Sequence, residues 1–472
     1  MKVVIVGGGA VGFQLAQQLI REKRDVVIIE RDPEQARILG NRLDCMIVNG
    51  PGNNVDVLRE AGTGNADCFI AVTTSDEVNM ISCALVSSEF DVARKIARVR
   101  NIEYSGSRLA EAGVLGIDHV VNPETETAKE IITSIEQGAL SDVISFEATD
   151  LQIQSLNVTA HTPVIGSRLR DLGQHINARF LIALIVRDGT YIIPSGDNRV
   201  QEGDQIYVVA TARDTEAVFA RFGKPRRALN KIVLVGGGGK IGNRIAEHFL
   251  GVRSGGGHGG YDRLRAAWRK RAVNLKIVER DYQKCKELAN RYKAATTIHA
   301  DIADESLFEE EQFGESDLVV AVTDNQELNM VTALYARSVG IPRTVCLVNN
   351  SGYADIAARL GIDVPVSLKK SMVDAILKII RRGSVRNVRS LFDGQIELLE
   401  LQISSASSML GQPLQNISLP VGTLIVSVTS QGTAIIPDGQ TVLHAGDGIV
   451  VMLRQEHFDR VVELFSPEQT TN

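Results

Sequence analysis

The sequence predicts an α/β protein with two doubly wound parallel sheets, each followed by a small α+β module. Between Val3 and Ile135, short apolar runs alternate with helical patterns, as in parallel strands joined by crossover helices. From about Val143 the strands become closely spaced, with Gly turns and little helix, and the whole arrangement then recurs. Among 472 residues there are 42 Gly but only one Trp, eight Tyr and thirteen Phe, which fits the aliphatic cores of parallel sheets.

The individual elements follow from the same patterns. We expect helices in the first sheet domain to include Phe13–Arg21, Glu77–Ser87 and Thr125–Ile135. The expected strands of that domain are Val3–Val6, Val26–Glu30, Cys45–Val48, Cys68–Val72, Ile96–Val99 and Val120–Val121. The expected strands of the following module are Leu151–Val158, Phe180–Arg187, Tyr191–Ile193 and Gln205–Ala210.

The chain is an internal duplication, because five segments of its first half recur in order in its second half. The pairs are Lys2–Gly12 with Lys231–Gly242, Ile28–Asp32 with Ile277–Asp281, Ala71–Met80 with Ala321–Met330, Gly116–Asp118 with Gly361–Asp363, and Gly189–Asp204 with Gly432–Asp447. The separation grows from 230 residues at Gly12 and Gly242 to 249 at Glu30 and Glu279, which places 19 extra residues in the second copy.

Four domains are therefore predicted, arranged as two copies of one unit. They are a Rossmann-like domain at 1–137, a module at 140–223, a second Rossmann-like domain at 229–382 with the insertion at about 251–272, and a second module at 385–467. The insertion is rich in Gly and basic residues and holds the only tryptophan, Trp268. Its Leu264–Val273 segment is expected to form either a basic amphipathic helix facing an anionic membrane or channel, or a flexible loop.

Composition and cysteine spacing argue against several functional classes. The net charge of −6, from 51 basic and 57 acidic residues, is not that of a generic nucleic-acid binder. No apolar run reaches the roughly 18 residues that span a bilayer, and Met1–Val6 leads into a strand without a signal-peptide cleavage site. We expect a cytoplasmic protein that only a partner holds at a membrane. Five scattered cysteines without a CxxC pair predict reduced core thiols and no metal ligands: Cys45, Cys68, Cys83, Cys285 and Cys346.

A candidate nucleotide site begins where the first strand meets the first helix. The pattern Gly7-x-Gly9-x-x-Gly12 provides a tight turn, a close backbone approach to a pyrophosphate, and close packing of helix on strand. Glu30, at the end of the second strand, accepts ribose hydroxyls and repels a 2′-phosphate, which favours NAD(H), ATP, ADP or AMP. Neighbouring Arg31 weakens the exclusion of NADP. The alternative is a purely structural Gly turn beside a solvated Glu.

Polar residues at two further strand ends face the same crevice. Thr73 and Thr74 follow the fourth strand, where their hydroxyls are within reach of a phosphate or a ribose. A second interpretation, compatible with the first, is that Ser75 or Asp76 caps the next helix. Arg98, at the end of the fifth strand, is expected to neutralise a phosphate.

The second copy repeats most of these residues. Its candidates are Gly237, Gly239, Gly242, Glu279 and Thr323. The counterpart of Arg98 is Leu347, so the two sites are expected to differ in affinity or in ligand.

Together these motifs resemble the RCK family, whose domains regulate potassium conductance and whose nucleotide-binding part is also called KTN. The resemblance rests on Gly7–Gly12, Glu30–Asp32, Val48–Gly50, Leu58–Gly62, Ala71–Thr73, Asp76, Asn79–Met80 and Ala97–Arg100. The duplication is similar to the tandem, TrkA-type members of that family, and the small modules look like RCK C-terminal domains. The insertion is a departure from the family pattern.

The resemblance implies a peripheral regulatory subunit beneath a membrane potassium channel or transporter. It implies binding of NAD(H) or ATP/ADP, and assembly into a ring of eight RCK domains, which for a tandem chain means four chains. A regulator of another carrier, such as a cation/proton antiporter, remains an alternative. The residues that the resemblance assigns to the dinucleotide are Gly7, Gly8, Gly9, Ala10, Val11, Glu30, Thr73, Thr74 and Arg98.

A dehydrogenase is the enzymatic alternative that this fold suggests. Hydride transfer needs an acid or base beside the nicotinamide. Only His119 and His299 fall near expected strand ends, and Val364 stands at the counterpart of His119 in the second copy. We therefore expect a binding protein with no catalytic residues.

Overall fold

A computed structural model gives the fold of the chain. It describes residues 1–101, 104, 115–136, 143–145, 151–160, 162–172, 178–211, 214–222, 229–251, 273–304, 306–380, 385–392 and 395–467. The expected amphipathic helix in the insertion falls almost wholly outside these ranges, because residues 252–272 are not among them.

The first Rossmann-like domain has six parallel strands in the order β3-β2-β1-β4-β5-β6. The strands are β1 (Lys2–Val6), β2 (Asp25–Glu30), β3 (Met46–Asn49), β4 (Cys68–Ala71), β5 (Arg94–Arg98) and β6 (His119–Val121). The helices are α1 (Ala10–Arg21), α2 (Pro33–Arg42), α3 (Val55–Glu60), α4 (Asp76–Glu89) and α5 (Pro123–Glu136), with a 3₁₀ turn at Thr63–Asn65. This order reverses direction between β1 and β4, which opens a crevice at the carboxyl ends of those strands.

The first module is an antiparallel sheet in the order β10-β9-β11-β8-β7. Its strands are β7 (Val143–Ser145), β8 (Leu151–Asn157), β9 (Phe180–Arg187), β10 (Thr190–Ile192) and β11 (Gln205–Thr211). Its helices are α6 (Leu169–Leu172) and α7 (Asp214–Arg221).

The second copy repeats both architectures. Its parallel sheet has the order β14-β13-β12-β15-β16-β17, and its antiparallel sheet has the order β18-β19-β22-β20-β21. The parallel strands are β12 (Lys231–Val235), β13 (Asn274–Glu279), β14 (Thr296–His299), β15 (Leu318–Ala321), β16 (Thr344–Val348) and β17 (Val364–Ser367). The helices around them are α8 (Lys240–Leu250), α9 (Tyr282–Arg291), α10 (Ser306–Glu310), α11 (Gln326–Ser338), α12 (Ser351–Arg359) and α13 (Leu368–Ile380). The second module contains β18 (Val385–Leu391), β19 (Ile396–Gln402), β20 (Thr423–Ser430), β21 (Thr433–Ile435), β22 (Gly448–Arg454) and α14 (Phe458–Phe465).

These elements confirm the predicted fold class, and the predicted strands of the first copy differ from the observed ones by a residue or two. The chain forms two compact units. The first contains both parallel sheets (Met1–Ala139 and Leu229–Ile380), and the second contains both antiparallel modules (Leu140–Ala228 and Arg381–Asn472). In the described part of the chain no helix is both long and apolar enough to span a bilayer.

In the first unit the two Rossmann-like domains exchange their last helices. Helix α5 of the first copy buries Ala128, Ile131 and Ile135 in the core of the second sheet. Helix α13 of the second copy buries Met372, Val373, Ile376, Leu377 and Ile380 in the core of the first sheet. The guanidinium of Arg94, on β5, donates to the carbonyls of Ile379 and Ile380 and so caps the end of the incoming helix. Each sheet is therefore completed by the other copy.

In the second unit the two antiparallel sheets pack face to face through one apolar core. Ile153 and Val209 of the first module share this core with Leu398 and Val450 of the second. Phe392 contributes aromatic contacts, with its ring 4.4 Å from that of Tyr191 and 5.6 Å from that of Tyr207. Burial of these apolar side chains stabilises the pairing of the modules.

Candidate nucleotide-binding site

The first Gly-rich loop, between β1 and α1, packs closely against the carboxyl ends of the neighbouring strands β2 and β4. Gly7 has a φ of 101°, which strongly favours glycine, and its N–H donates to the carbonyl of Ile29 over 2.9 Å. A Cβ on Gly7 would lie 3.0 Å from the backbone nitrogen of Thr73. A Cβ on Gly12 would overlap the carbonyl oxygen of Gly7. Both positions therefore exclude larger residues for the geometric reasons that the sequence suggested.

The start of α1 carries unsatisfied donors. Gly9 is the N-cap with a φ of −65°, no side chain caps it, and the first turn holds no acidic residue. Among the described residues, no hydrogen-bond acceptor meets the N–H groups of Gly9, Ala10 or Val11. A Cβ on Gly9 would meet nothing within 4 Å, so the space above these donors is open. Open donors at the positive end of a helix are suited to an anion.

The Glu30 carboxylate links the loop to the end of β2. One of its oxygens accepts the N–H of Gly8 at 2.6 Å, and the other accepts the N–H of Asp32 at 2.9 Å. Each carboxylate oxygen has a second lone pair that a ribose hydroxyl can use. Arg31 is exposed beside it.

The loop after β4 confirms one capping interpretation and gives Asp76 another role. Ser75 is the N-cap of α4, and its hydroxyl accepts the N–H of Val78 at 3.2 Å. The carboxylate of Asp76 instead accepts the backbone N–H groups of Arg100, at 2.9 Å, and of Asn101, at 2.8 Å. Asp76 therefore ties this loop to the segment after β5. Thr74 is exposed at the mouth of the crevice, and its contact with a ligand stays a prediction.

Asn79 is a positioning residue, although in the sequence it serves only as part of a repeated motif and of the family resemblance. Its side chain is fully buried, and its carbonyl oxygen accepts from the N–H of Thr73 at 2.9 Å and from the hydroxyl of Thr73 at 2.7 Å. Its amide donates to the carbonyls of Thr73, at 3.1 Å, and of Arg98, at 2.9 Å. The signal was present, because an Asn recurs at 329 six residues after the second Thr.

Arg98 lies half-buried at the end of β5. Its guanidinium donates to the carbonyl of Thr73, and no carboxylate among the described residues forms an ion pair with it. Burial lowers the pKa of Arg98, and the positive charge of Arg100 lowers it further. A desolvated cation beside a carbonyl gains from a nearby anion. Arg100, in contrast, is already paired with buried Glu124 at 2.7 Å.

The second Gly-rich loop is one residue longer than the first. Gly236, with a φ of 82° and an N–H donated to the carbonyl of Val278, occupies the position of Gly7. The candidate Gly237 is the next residue along this loop, and its contact with a ligand stays a prediction. Gly239 is the N-cap of α8, as Gly9 is of α1, and a Cβ on Gly242 would overlap the carbonyl oxygen of Gly236. Because Gly236–Gly239 are four consecutive glycines, the sequence alone permits either Gly236 or Gly237 to be aligned with Gly7.

The remaining second-copy candidates keep the geometry of the first. Glu279 is only 9% exposed and accepts the N–H groups of Gly238 and Asp281 at 2.8 and 3.0 Å. Thr323 is held by Asn329 as Thr73 is by Asn79, with the hydroxyl at 2.7 Å. The Asn329 amide donates to the carbonyl of Leu347 at 3.0 Å, which establishes Leu347 as the counterpart of Arg98.

Two polar contacts join the copies near these crevices. The ammonium group of Lys240, the first residue of α8, donates to the carbonyl of Arg100 at 3.2 Å. The amide of Gln14, on α1, lies 3.5 Å from the hydroxyl of Ser351, on α12. Both contacts connect the first copy to the second.

The fold and the crevices define a class, a duplicated pair of Rossmann-like domains, each followed along the chain by a small antiparallel module. The TrkA-N domain matches residues 3–123 and 255–368, and the TrkA-C domain matches residues 153–223 and 398–466. The chain belongs to the TrkA family. The second TrkA-N match begins after the second Gly-rich loop.

Curated relatives resemble the chain over nearly its full length. A Trk system potassium uptake protein TrkA from Halomonas elongata is 31% identical over 468 residues, 98% of each chain. A protein of the same name from Azorhizobium caulinodans is 32% identical over 469 residues, again 98% of each chain.

Solved structures support the fold. The GsuK channel is similar with a TM-score of 0.56 at 19% identity, covering 98% of this chain and 78% of that chain. A structure of the GsuK channel bound to NAD gives 0.55 at 17% identity, with the same coverage.

Proposed function

We propose that this chain is a nucleotide-binding regulatory subunit that gates a membrane potassium-uptake channel or transporter in response to NAD(H), with ATP or ADP as further ligands. The observation that supports the proposal is the set of open N–H groups at the start of α1, with half-buried Arg98 bonded to Thr73, the residue that packs against Gly7. The names of the full-length relatives, which are Trk potassium uptake proteins, supply the physiological setting.

The ligand class follows from the charges around the crevice. The N-terminus of α1 and Arg98 together suit a pyrophosphate. Glu30 at the end of β2 accepts ribose hydroxyls and opposes a 2′-phosphate, so NAD(H) is favoured over NADP(H). The GsuK channel, which is similar to this chain in fold, has been solved with NAD bound, and this supports the same choice of dinucleotide.

Regulation requires that the ligand bind two states of the protein unequally. The first crevice is coupled to the second copy through the Lys240 contact with Arg100 and through exchanged α5, whose Glu124 holds the side chain of Arg100. We infer that a phosphate bound to Arg98 shifts the segment around Arg100, and that this shift is transmitted to the membrane partner.

Calorimetric titration tests the binding step. NAD, NADH, ADP and ATP are titrated into the wild-type chain, into Arg98→Ala, and into the control Arg37→Ala, which removes an exposed cation paired with Glu34 on α2. We expect at least one nucleotide to bind the wild type, Arg98→Ala to weaken it, and Arg37→Ala to leave it unchanged. If none of the four binds the wild type, the proposal fails.

The same proposal places the chain on the inner face of the cell membrane through its partner. We propose four chains in a ring of eight such domains, for which light scattering should give four times the 51.2 kDa of one chain. Co-purification from membranes identifies the partner, and recovery of a cation/proton antiporter instead of a potassium-uptake protein would refute the potassium assignment.

We also propose that the bound nucleotide is a signal and is not turned over. The expected result is a stable NADH absorbance band when the loaded protein is incubated with candidate carbonyl substrates. A substrate-dependent loss of that band would show hydride transfer and would contradict a purely regulatory role.

A further inference from the structure

We propose that the second Gly-rich loop takes no phosphate, so that each chain holds a single nucleotide, in the first copy. This inference rests on the proposed function and makes it more specific. Two differences between otherwise matching crevices support it. The second loop is longer and closes a turn with one of its own N–H groups, and the guanidinium of Arg98 has no counterpart in the second copy.

The extra residue changes the path of the second loop. In the first copy, only Gly8 stands between Gly7, whose φ is positive, and the N-cap Gly9. A Cβ on Gly8 would overlap Leu39. In the second copy the pair Gly237 and Gly238 stands at this place. A Cβ on Gly237 would overlap Ile277, and one on Gly238 would lie 2.6 Å from a carboxylate oxygen of Glu279. The longer loop therefore packs down onto β13.

The longer loop also uses a donor that the first loop leaves open. The N–H of Gly239 donates to the carbonyl of Gly236 at 3.2 Å, which closes a four-residue turn. At the matching position, the N–H of Gly9 meets no acceptor among the described residues. A phosphate at the second loop would have to break this turn, and that cost does not arise at the first.

The second crevice lacks a counterpart of the Arg98 guanidinium at the end of its fifth strand. Leu347 replaces Arg98 and is 8% exposed, packed in the apolar core that receives α5. Lys240 stands at the start of α8 but donates to the carbonyl of Arg100 in the first copy. A phosphate beside Leu347 would therefore lose its hydration without a guanidinium to compensate for the loss.

The test is a count of nucleotides per chain in the full-length protein and in Gly9→Asp. An Asp fits at Gly9, because a Cβ there meets nothing within 4 Å and Asp is a favoured N-cap residue. Its carboxylate occupies the donors of α1 and repels phosphate. The wild type and the variant are titrated with NADH and ATP by calorimetry, and bound ligands are counted by native mass spectrometry.

We expect one nucleotide per wild-type chain and none on Gly9→Asp, with an unchanged melting temperature. Two nucleotides per wild-type chain, or one retained by Gly9→Asp, would overturn the inference and leave the proposed function intact. No binding to the wild type would instead refute the proposed function. If Gly9→Asp melts early, Arg98→Ala serves in its place: loss of all binding supports the inference, and one remaining tight site refutes it.

Discussion

The buried amide of Asn79 is predicted to hold the crevice together. Asn79→Ala removes two accepted and two donated hydrogen bonds from a side chain with no exposed surface. At a net contribution of roughly 0.5–1.5 kcal/mol each, the loss is about 4 kcal/mol. The loop after β4 and the end of β5 would separate most easily, because this amide bonds to both Thr73 and Arg98.

Hydrogen exchange at the amide of Thr73 measures this loss directly, since the side chain of Asn79 is its acceptor at 2.9 Å. A tenfold change corresponds to about 1.4 kcal/mol, so a loss of about 4 kcal/mol should make exchange roughly 700-fold faster. Asn329→Ala, which removes the same bonds in the second copy, should speed exchange at Thr323 and leave nucleotide affinity unchanged. An exchange rate at Thr73 that changes by less than about threefold would refute the reasoning.

Four further predictions concern other parts of the molecule. Gly12→Ala should destabilise the first domain and abolish nucleotide binding, because the added methyl overlaps a carbonyl oxygen, whereas Gly40→Ala in α2, with a Cβ 4.0 Å from its nearest neighbour, should raise the melting temperature slightly. Glu30→Gln removes a charge that repels a 2′-phosphate, so the ratio of NADPH to NADH affinity in titrations should rise; an unchanged ratio would contradict the role. Ile376→Ala should lower the free energy of unfolding by about 2–5 kcal/mol. Hydrogen exchange should become faster in the first sheet, whose core holds Ile376, and not in the second sheet, although the helix that carries Ile376 belongs to the second copy. Burial raises the pKa of Cys45 to about 11, so its labelling by a thiol reagent should be slow at pH 8 and rise about tenfold per pH unit; fast labelling at pH 8 would show that it is not buried.

Local patterns in the sequence were sufficient to predict the order of strands and helices along the chain. The runs Val3–Val6 and Val26–Glu30 are apolar because both faces of a parallel strand are buried, and their spacing leaves room for one helix. The same logic located the first crevice, since Gly7 and Glu30 follow directly from strand ends. In the structure the carboxylate of Glu30 accepts the N–H of Gly8, the neighbour of Gly7.

The partners of the exchanged helices were beyond the reach of the sequence. The apolar stripe of α5, which includes Ile131 and Ile135, indicates that this face is buried, but it carries no information about which sheet covers it. The register of the second Gly-rich loop was ambiguous for a different reason. Glycines have no side chain to mark a face, so only backbone dihedrals distinguish Gly236 from Gly237.

The exchange of α5 and α13 has a consequence for how this chain can diverge. A fragment ending at Glu136 would carry an uncovered apolar stripe and a sheet that lacks its last helix, so two such fragments would have to pair with each other. Joining the two copies makes that pairing permanent and allows the halves to specialise. The second half contributes to the folding of the first through Ile376 and its neighbours, a task that does not depend on its own crevice. Its loop is therefore free to accumulate changes such as the extra glycine while the pair remains intact.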